Sequence, residues 1–169
     1  MVSPVTREIL AAGQSTWLDY IRRGHIESGD LAKMVSDGWI TGMTSNPSIF
    51  EKAIAGSADY DDALKALAGQ HTVTPYEAFV SLAVADIRAV ADILRPIYDR
   101  TAAKDGYVSI EVPPGIEADT AATIAEAQRL FALVDRPNVM IKVPGTPEGC
   151  RAAEELIAGG ANINVTLLF

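Results

Sequence analysis

The chain has 169 residues, 49% of them hydrophobic and 21% charged, enough apolar material for the core of one globular unit and too much for a disordered or fibrous chain. A formal net charge of −8, with no stripe of lysine or arginine, argues against a nucleic-acid partner, whose footprint would be basic. The start "MVSPVTREILAAG" lacks the basic and apolar regions of a signal peptide, and no run reaches the ~18 apolar residues of a membrane span, so a soluble cytoplasmic protein is expected.

In chain order, Pro4 after Ser3 can take a first helical position without wasting a donor, which predicts a helix over "SPVTREILAAG" that closes near Gly13. Two β-rich runs follow, "STWLDY" and "WITGMTSNP", with His25 in a loop, "RRGHIESGD", between them. The stretch from Glu51 to Asp105 is long for one crossover and predicts extra helices, including one over "YDDALKALAG" whose first residues read as a solvated face. His71 falls in a turn, "GQHTV". Thr74, Pro75 and Glu77 form a capping box. From there Phe79, Leu82, Ile87, Val90 and Leu94 keep helical spacing until Arg95-Pro96, where the proline ring predicts a kink or break.

"YVSIEVPP" reads as a third strand, and "ADTAATIAEAQRLFALVDRP" as a helix with Ile124, Gln128, Phe131 and Val134 along one side. "VMIKVPGT" is a fourth strand. A helix over "GTPEGCRAAEELIAGG" is capped by Thr146, takes Pro147 in its first turn and closes at Gly159 or Gly160. "INVTLLF" is the fifth strand.

Strands alternating with helices predict an α/β fold with parallel pairing. No Gly-x-Gly-x-x-Gly turn or Gly-Lys-Ser/Thr loop follows any strand, so the usual phosphate cradles of dinucleotide and P-loop folds are missing. A (β/α) TIM-barrel type is favoured. Eight barrel units typically need about 250 residues; the expectation is therefore one partial barrel domain over residues 1–169, truncated after its fifth strand.

Side chains alternate faces along a strand, so each run divides into two rows. Val108, Ile110 and Val112 form one row of the third strand, Ser109 and Glu111 the other; in the fourth, Val139, Ile141 and Val143 oppose Met140 and Lys142. The fifth sets Ile163, Val165 and Leu167 against Asn164, Thr166 and Leu168. Asp19 and Asn46 close the first two runs. The apolar rows suit a helix-covered exterior, and the polar rows would converge inside, towards the carboxyl ends where barrel enzymes keep their chemistry.

A lone lysine in a strand is more often a snorkelling edge residue or half of a salt bridge. Lys142 differs in having carboxylates, amides and a hydroxyl aimed at the same interior from other strands. An amine kept from water is more easily held neutral, and a neutral amine can condense with a carbonyl to give an iminium, an electron sink that permits cleavage of a neighbouring carbon–carbon bond.

At these residues the sequence resembles the transaldolases, cofactor-free relatives of the class I aldolases in the non-oxidative pentose phosphate pathway. The resemblance runs from "WLDY" through "TSNPSIF", "VSIEV" and "MIKVPGT" to "NVTLLF". It implies that Lys142 is the Schiff-base lysine and Asp19 the acid/base at the cleaved bond. Glu111 and Thr166 would hold and activate the water of carbinolamine formation, and Asn46 and Asn164 would hydrogen-bond the dihydroxyacetone unit. The implied reaction moves that unit from sedoheptulose 7-phosphate or fructose 6-phosphate to erythrose 4-phosphate or glyceraldehyde 3-phosphate, with no cofactor.

In the family the Ser/Arg pair that seats the sugar phosphate lies on later strands. The 169 residues are therefore expected to be inactive alone and to self-associate, or to pair with a missing half-barrel, through open edges. Two other readings are a fructose 6-phosphate aldolase-like enzyme, which releases dihydroxyacetone to water, and a non-catalytic half-barrel interaction module. A metal site is disfavoured because His25 and His71 share no ligand spacing, and a serine hydrolase because no Gly-x-Ser-x-Gly elbow is present. Cys150 has no partner cysteine and reads as a bystander or buried thiol; Trp17 and Trp39 read as packing residues, with Trp17 able to line the pocket.

Overall fold

The computed structural model describes residues 4–69 and 73–168. The helix start expected at Ser3 and the turn at His71 lie outside the described residues. The order is α1 (Pro4–Ala11), β1 (Trp17–Leu18), α2 (Arg23–Glu27), α3 (Asp30–Ser36), β2 (Gly42–Thr44), α4 (Pro47–Ala55), a 3-10 turn (Ala58–Tyr60), α5 (Asp61–Ala68), α6 (Pro75–Arg100), β3 (Val108–Glu111), α7 (Thr120–Val134), β4 (Val139–Pro144), α8 (Pro147–Ala158) and β5 (Ile163–Thr166). The strands lie side by side as β1-β2-β3-β4-β5, every neighbouring pair parallel. This is part of a (β/α) barrel, with helices on the outer face.

The caps form where the sequence places them. Thr74 Oγ1 accepts from the Glu77 amide at 3.2 Å while Glu77 Oε2 accepts from the Thr74 amide at 2.9 Å. Thr146 Oγ1 accepts from the Gly149 amide at 2.9 Å, and Pro147 takes the first turn. Asn46 caps α4 in the same way, its Oδ1 accepting from Ser48 N at 3.0 Å and Ile49 N at 3.4 Å. The Asn46 and Thr146 caps fix where α4 and α8 leave the carboxyl ends of β2 and β4.

Val108, Val139, Ile141 and Val143 are fully buried, as the apolar row requires, under Val90 and Leu94 of α6, Ala127 and Val134 of α7 and Ala152 of α8. Pro96 does not interrupt α6, which runs on to Arg100. Leu94 and Ile97 are buried on either side of it. Burial of two such side chains, at about 1.5–3 kcal/mol each, offsets the ~3 kcal/mol cost of an interior proline.

The buried face of α7 also differs from the expected row: Thr123, Ala127, Leu130 and Val134 face inward, while Gln128 is exposed and Ile124 and Phe131 are half-buried. The small side chains let the helix approach the sheet closely, and the large ones flank that contact. His25 is exposed, but it lies in α2, where a loop was expected, with its ring edge-on to Tyr20 at 5.5 Å. The next helix, α3, starts after Gly29 in a left-handed conformation (φ 80°), a geometry that glycine adopts without strain.

Tyr60 is fully buried, whereas Asp61 and Asp62 beside it are exposed as expected. Its hydroxyl accepts from the Arg23 amide at 3.0 Å and donates to Asp86 Oδ2 at 2.9 Å. The Arg23 guanidinium lies 4.6 Å from the Tyr60 ring centroid and pairs with Asp86 Oδ1 at 2.8 Å. This clamp ties α2 and the 3-10 turn to the middle of α6.

Candidate active site

β3, β4 and β5 bring their polar rows together at the carboxyl end of the sheet. Lys142 is in register with Glu111 on one side and Asn164 on the other. Lys142 is buried, with 8% of its surface exposed. Its Nζ lies 3.1 Å from Glu111 Oε2, and this close pair is the centre of the candidate site. That carboxylate oxygen is buried and makes no aligned hydrogen bond, so the pair rests on charge attraction across the strands.

Below the pair runs a chain of hydroxyls. Asn164 Nδ2 donates to Ser109 Oγ at 3.1 Å, Ser109 Oγ donates to Thr44 Oγ1 at 2.8 Å, and Thr44 Oγ1 donates to the Ser45 carbonyl at 3.4 Å. Ser109 has no exposed surface. Neither Ser109 nor Thr44 stands out in the sequence as a reactive group; the signal for Ser109 is its place two residues before Glu111 in the same row.

The other candidates sit at the rim. Asn46 stands just past β2 as the cap of α4, so its oxygen is engaged by backbone amides and its NH2 is the end left to meet a ligand. Asp19 follows β1 directly and is exposed; β1 itself covers only Trp17 and Leu18, so Asp19 lies past the strand. Thr166 is the last residue of β5, half-buried and paired in register with Pro144. Among the described residues no side-chain hydrogen bond joins Asp19 or Thr166 to the Lys142–Glu111 pair. The Trp17 ring packs directly on Gly42, where a Cβ would come within 2.4 Å of it, whereas Trp39 is 42% exposed.

Asn46→Asp separates the two duties of this residue. The carboxylate can still cap α4, so the melting temperature should stay close to that of the unsubstituted chain, while ligand contacts that need an N–H are lost. Asn46→Ala removes the cap as well and should lower stability by about 1 kcal/mol in a thermal melt.

An apolar cavity of about 490 Å³ lies on the helix-facing side of β3, lined by Phe50, Phe79, Val80, Ile87, Ile110 and Leu130 and bordered by Glu111. Lys142 does not line it. Glu111 thus stands between this space and the Lys142 amine. Among the described residues no group of three or more His, Cys, Asp or Glu side chains is placed to hold a metal ion, and no helix is long and apolar enough to cross a membrane. Cys150 is exposed.

The family model described as transaldolase/fructose-6-phosphate aldolase matches residues 16–169, a span that contains every residue of this site. The chain belongs to this family. It is 53% identical over 163 residues to Transaldolase 2 of Nostoc punctiforme, covering 96% of this chain and 42% of that protein. It is 48% identical over 167 residues to the transaldolase of Thiobacillus denitrificans, covering 98% of this chain and 46% of that protein. With Transaldolase 1 of Streptomyces avermitilis the identity is 51% over 157 residues, 93% of this chain and 41% of that protein. The chain thus spans less than half the length of these curated relatives.

Proposed function

We propose that the chain is the catalytic half of a cytoplasmic transaldolase of the pentose phosphate pathway, and that Lys142 forms a Schiff base with a ketose phosphate. The observation that carries this is the buried Lys142 amine 3.1 Å from Glu111, in register with Asn164. Glu111 is the nearest group able to take a proton from the ammonium, directly or through a water held with Thr166. The freed amine adds to the ketone carbon, the carbonyl oxygen takes up a proton to give a carbinolamine, and that oxygen leaves as water to give the iminium. Asp19 then takes the proton of the hydroxyl beyond the adjacent carbon–carbon bond. That bond breaks, an aldose phosphate departs, and the bonding pair remains on the three-carbon unit as an enamine. Attack of the enamine on the aldehyde of an acceptor, such as erythrose 4-phosphate or glyceraldehyde 3-phosphate, reverses these steps and transfers the dihydroxyacetone unit from fructose 6-phosphate or sedoheptulose 7-phosphate.

The deciding assay uses the strands of this chain in a completed barrel with fructose 6-phosphate, with and without erythrose 4-phosphate. Transaldolase predicts sedoheptulose 7-phosphate only when the acceptor is present. Steady release of free dihydroxyacetone without it would assign the aldolase activity that the family's description also covers.

The half-barrel is proposed to be one part of a closed barrel, with the sugar-phosphate seat on strands beyond β5. Among the described residues β1 and β5 each pair with one neighbour only, and Ile157, Leu167 and Leu168 are 60%, 73% and 68% exposed. Open edges beside exposed leucines favour association. Light scattering of the isolated chain at high concentration should give a mass above that of a monomer, and a clean monomer would contradict this part of the proposal.

A further inference from the structure

We infer that Ser109 is a positioning residue for the reaction, acting through the direction of the hydrogen-bond chain that ends on Asn164. The inference rests on the Schiff-base reading and adds to it the orientation of one amide. A backbone carbonyl can only accept, so the Ser45 carbonyl takes the Thr44 proton, at 3.4 Å. Thr44 Oγ1 then has only lone pairs to offer and receives the Ser109 proton at 2.8 Å. Ser109 Oγ, its single proton spent, can only accept from its other neighbour, and that neighbour is Asn164 Nδ2 at 3.1 Å.

The amide of Asn164 is therefore turned with its NH2 towards Ser109 and its carbonyl oxygen towards the other side. Asn164 is the register partner of Lys142 on the neighbouring strand, so that oxygen is an acceptor left free for a ligand held at this register position. Asn46 is held the opposite way, its oxygen spent on the α4 cap and its NH2 left to donate. The two amides thus offer one acceptor and one donor, which suits a ketone flanked by hydroxyl groups better than a bare ketone. Ser109 reaches the site although it touches neither Lys142 nor Glu111 by any hydrogen bond or ion pair described for it. Its full burial leaves water no route to replace its hydroxyl.

The test compares two ketones that need no phosphate seat, dihydroxyacetone and acetone, each trapped on Lys142 with cyanoborohydride and followed by mass spectrometry. Acetone reports the amine alone; dihydroxyacetone also reports the groups that grip its hydroxyls. Ser109→Ala should lower the dihydroxyacetone-to-acetone ratio of trapping rates about tenfold, the scale of one well-placed hydrogen bond, with acetone trapping unchanged. Thr44→Val, which cuts the chain one link further away, should shift the ratio in the same direction, and Ser109→Thr, which keeps the hydroxyl, should restore it. A ratio within about twofold of the unsubstituted chain in both Ser109→Ala and Thr44→Val overturns the inference, as does an equal fall for both ketones, which would mark a structural role. Absence of any adduct at Lys142 in the unsubstituted chain would overturn the Schiff-base reading itself, and this inference with it.

Discussion

Lys142→Arg is expected to abolish transfer of the three-carbon unit in the completed barrel, lowering turnover by about 10,000-fold or more, the scale of loss when a covalent nucleophile is removed. Arginine keeps a cation opposite Glu111, so the charge pair that now spans 3.1 Å between β4 and β3 can re-form. Its guanidinium stays protonated and cannot add to a ketone. The substitution therefore separates electrostatic support of the fold from chemistry, which Lys142→Met would not do, because methionine leaves the Glu111 carboxylate without its cation. Turnover within a factor of about ten of the parent would mean that some other group carries the reaction. The melting temperature of the arginine variant serves as the control for folding.

The second large effect concerns stability and lies far from Lys142. Arg23→Ala should cost about 3–5 kcal/mol at neutral pH, because it strands the carboxylate of Asp86, whose side chain is only 4% exposed, without its cation. Burial pushes the Asp86 carboxyl above its ordinary value of 3.8, while Arg23 and the Tyr60 hydroxyl pull it back down and Glu27 adds a small upward push. Removing Arg23 removes the strongest of the downward influences.

The sign of the pH effect follows from this. A carboxyl raised in the folded state binds its proton more readily there than in the unfolded chain, so its contribution to stability falls as pH rises from the unfolded value towards the folded one. Acidification should therefore narrow the gap between Arg23→Ala and the parent, as Asp86 becomes neutral in the variant. Asp59 behaves in the opposite sense: Arg22, whose Nε lies 2.7 Å away, holds its carboxyl below 3.8. The stability that Asp59 supplies is present above its unfolded value and is lost as pH falls through the folded one, in parent and variant alike. Chemical denaturation at several pH values measures the gap directly, and a gap that widens on acidification would contradict the assignment.

Much of this arrangement was legible in the residues. Pro75 and Pro147, each following a capping threonine, mark two helix starts, and strict alternation along "YVSIEV" and "VMIKV" separates core from site. Those signals are local, so one sequence suffices to read them. Continuity across Pro96 was not legible, because it depends on the burial of Leu94 and Ile97 against elements distant in the chain. The face of α7 was misjudged for a related reason: large side chains attract attention, whereas close contact with the sheet selects Ala127 and Thr123. Ser109 was placed in the polar row but given no role, because a serine in a strand carries no chemistry of its own; its partners on β2 and β5 come within 3.1 Å only in the curled sheet.

The account rests on an amine that condenses with a ketose, and borohydride reduction of the folded protein in the presence of fructose 6-phosphate tests it most directly. Mass mapping of the reduced protein should find one covalent adduct, on the peptide containing Lys142, and none when the sugar is left out. An adduct spread over surface lysines such as Lys33, Lys65 and Lys104, or no adduct at all, would contradict it.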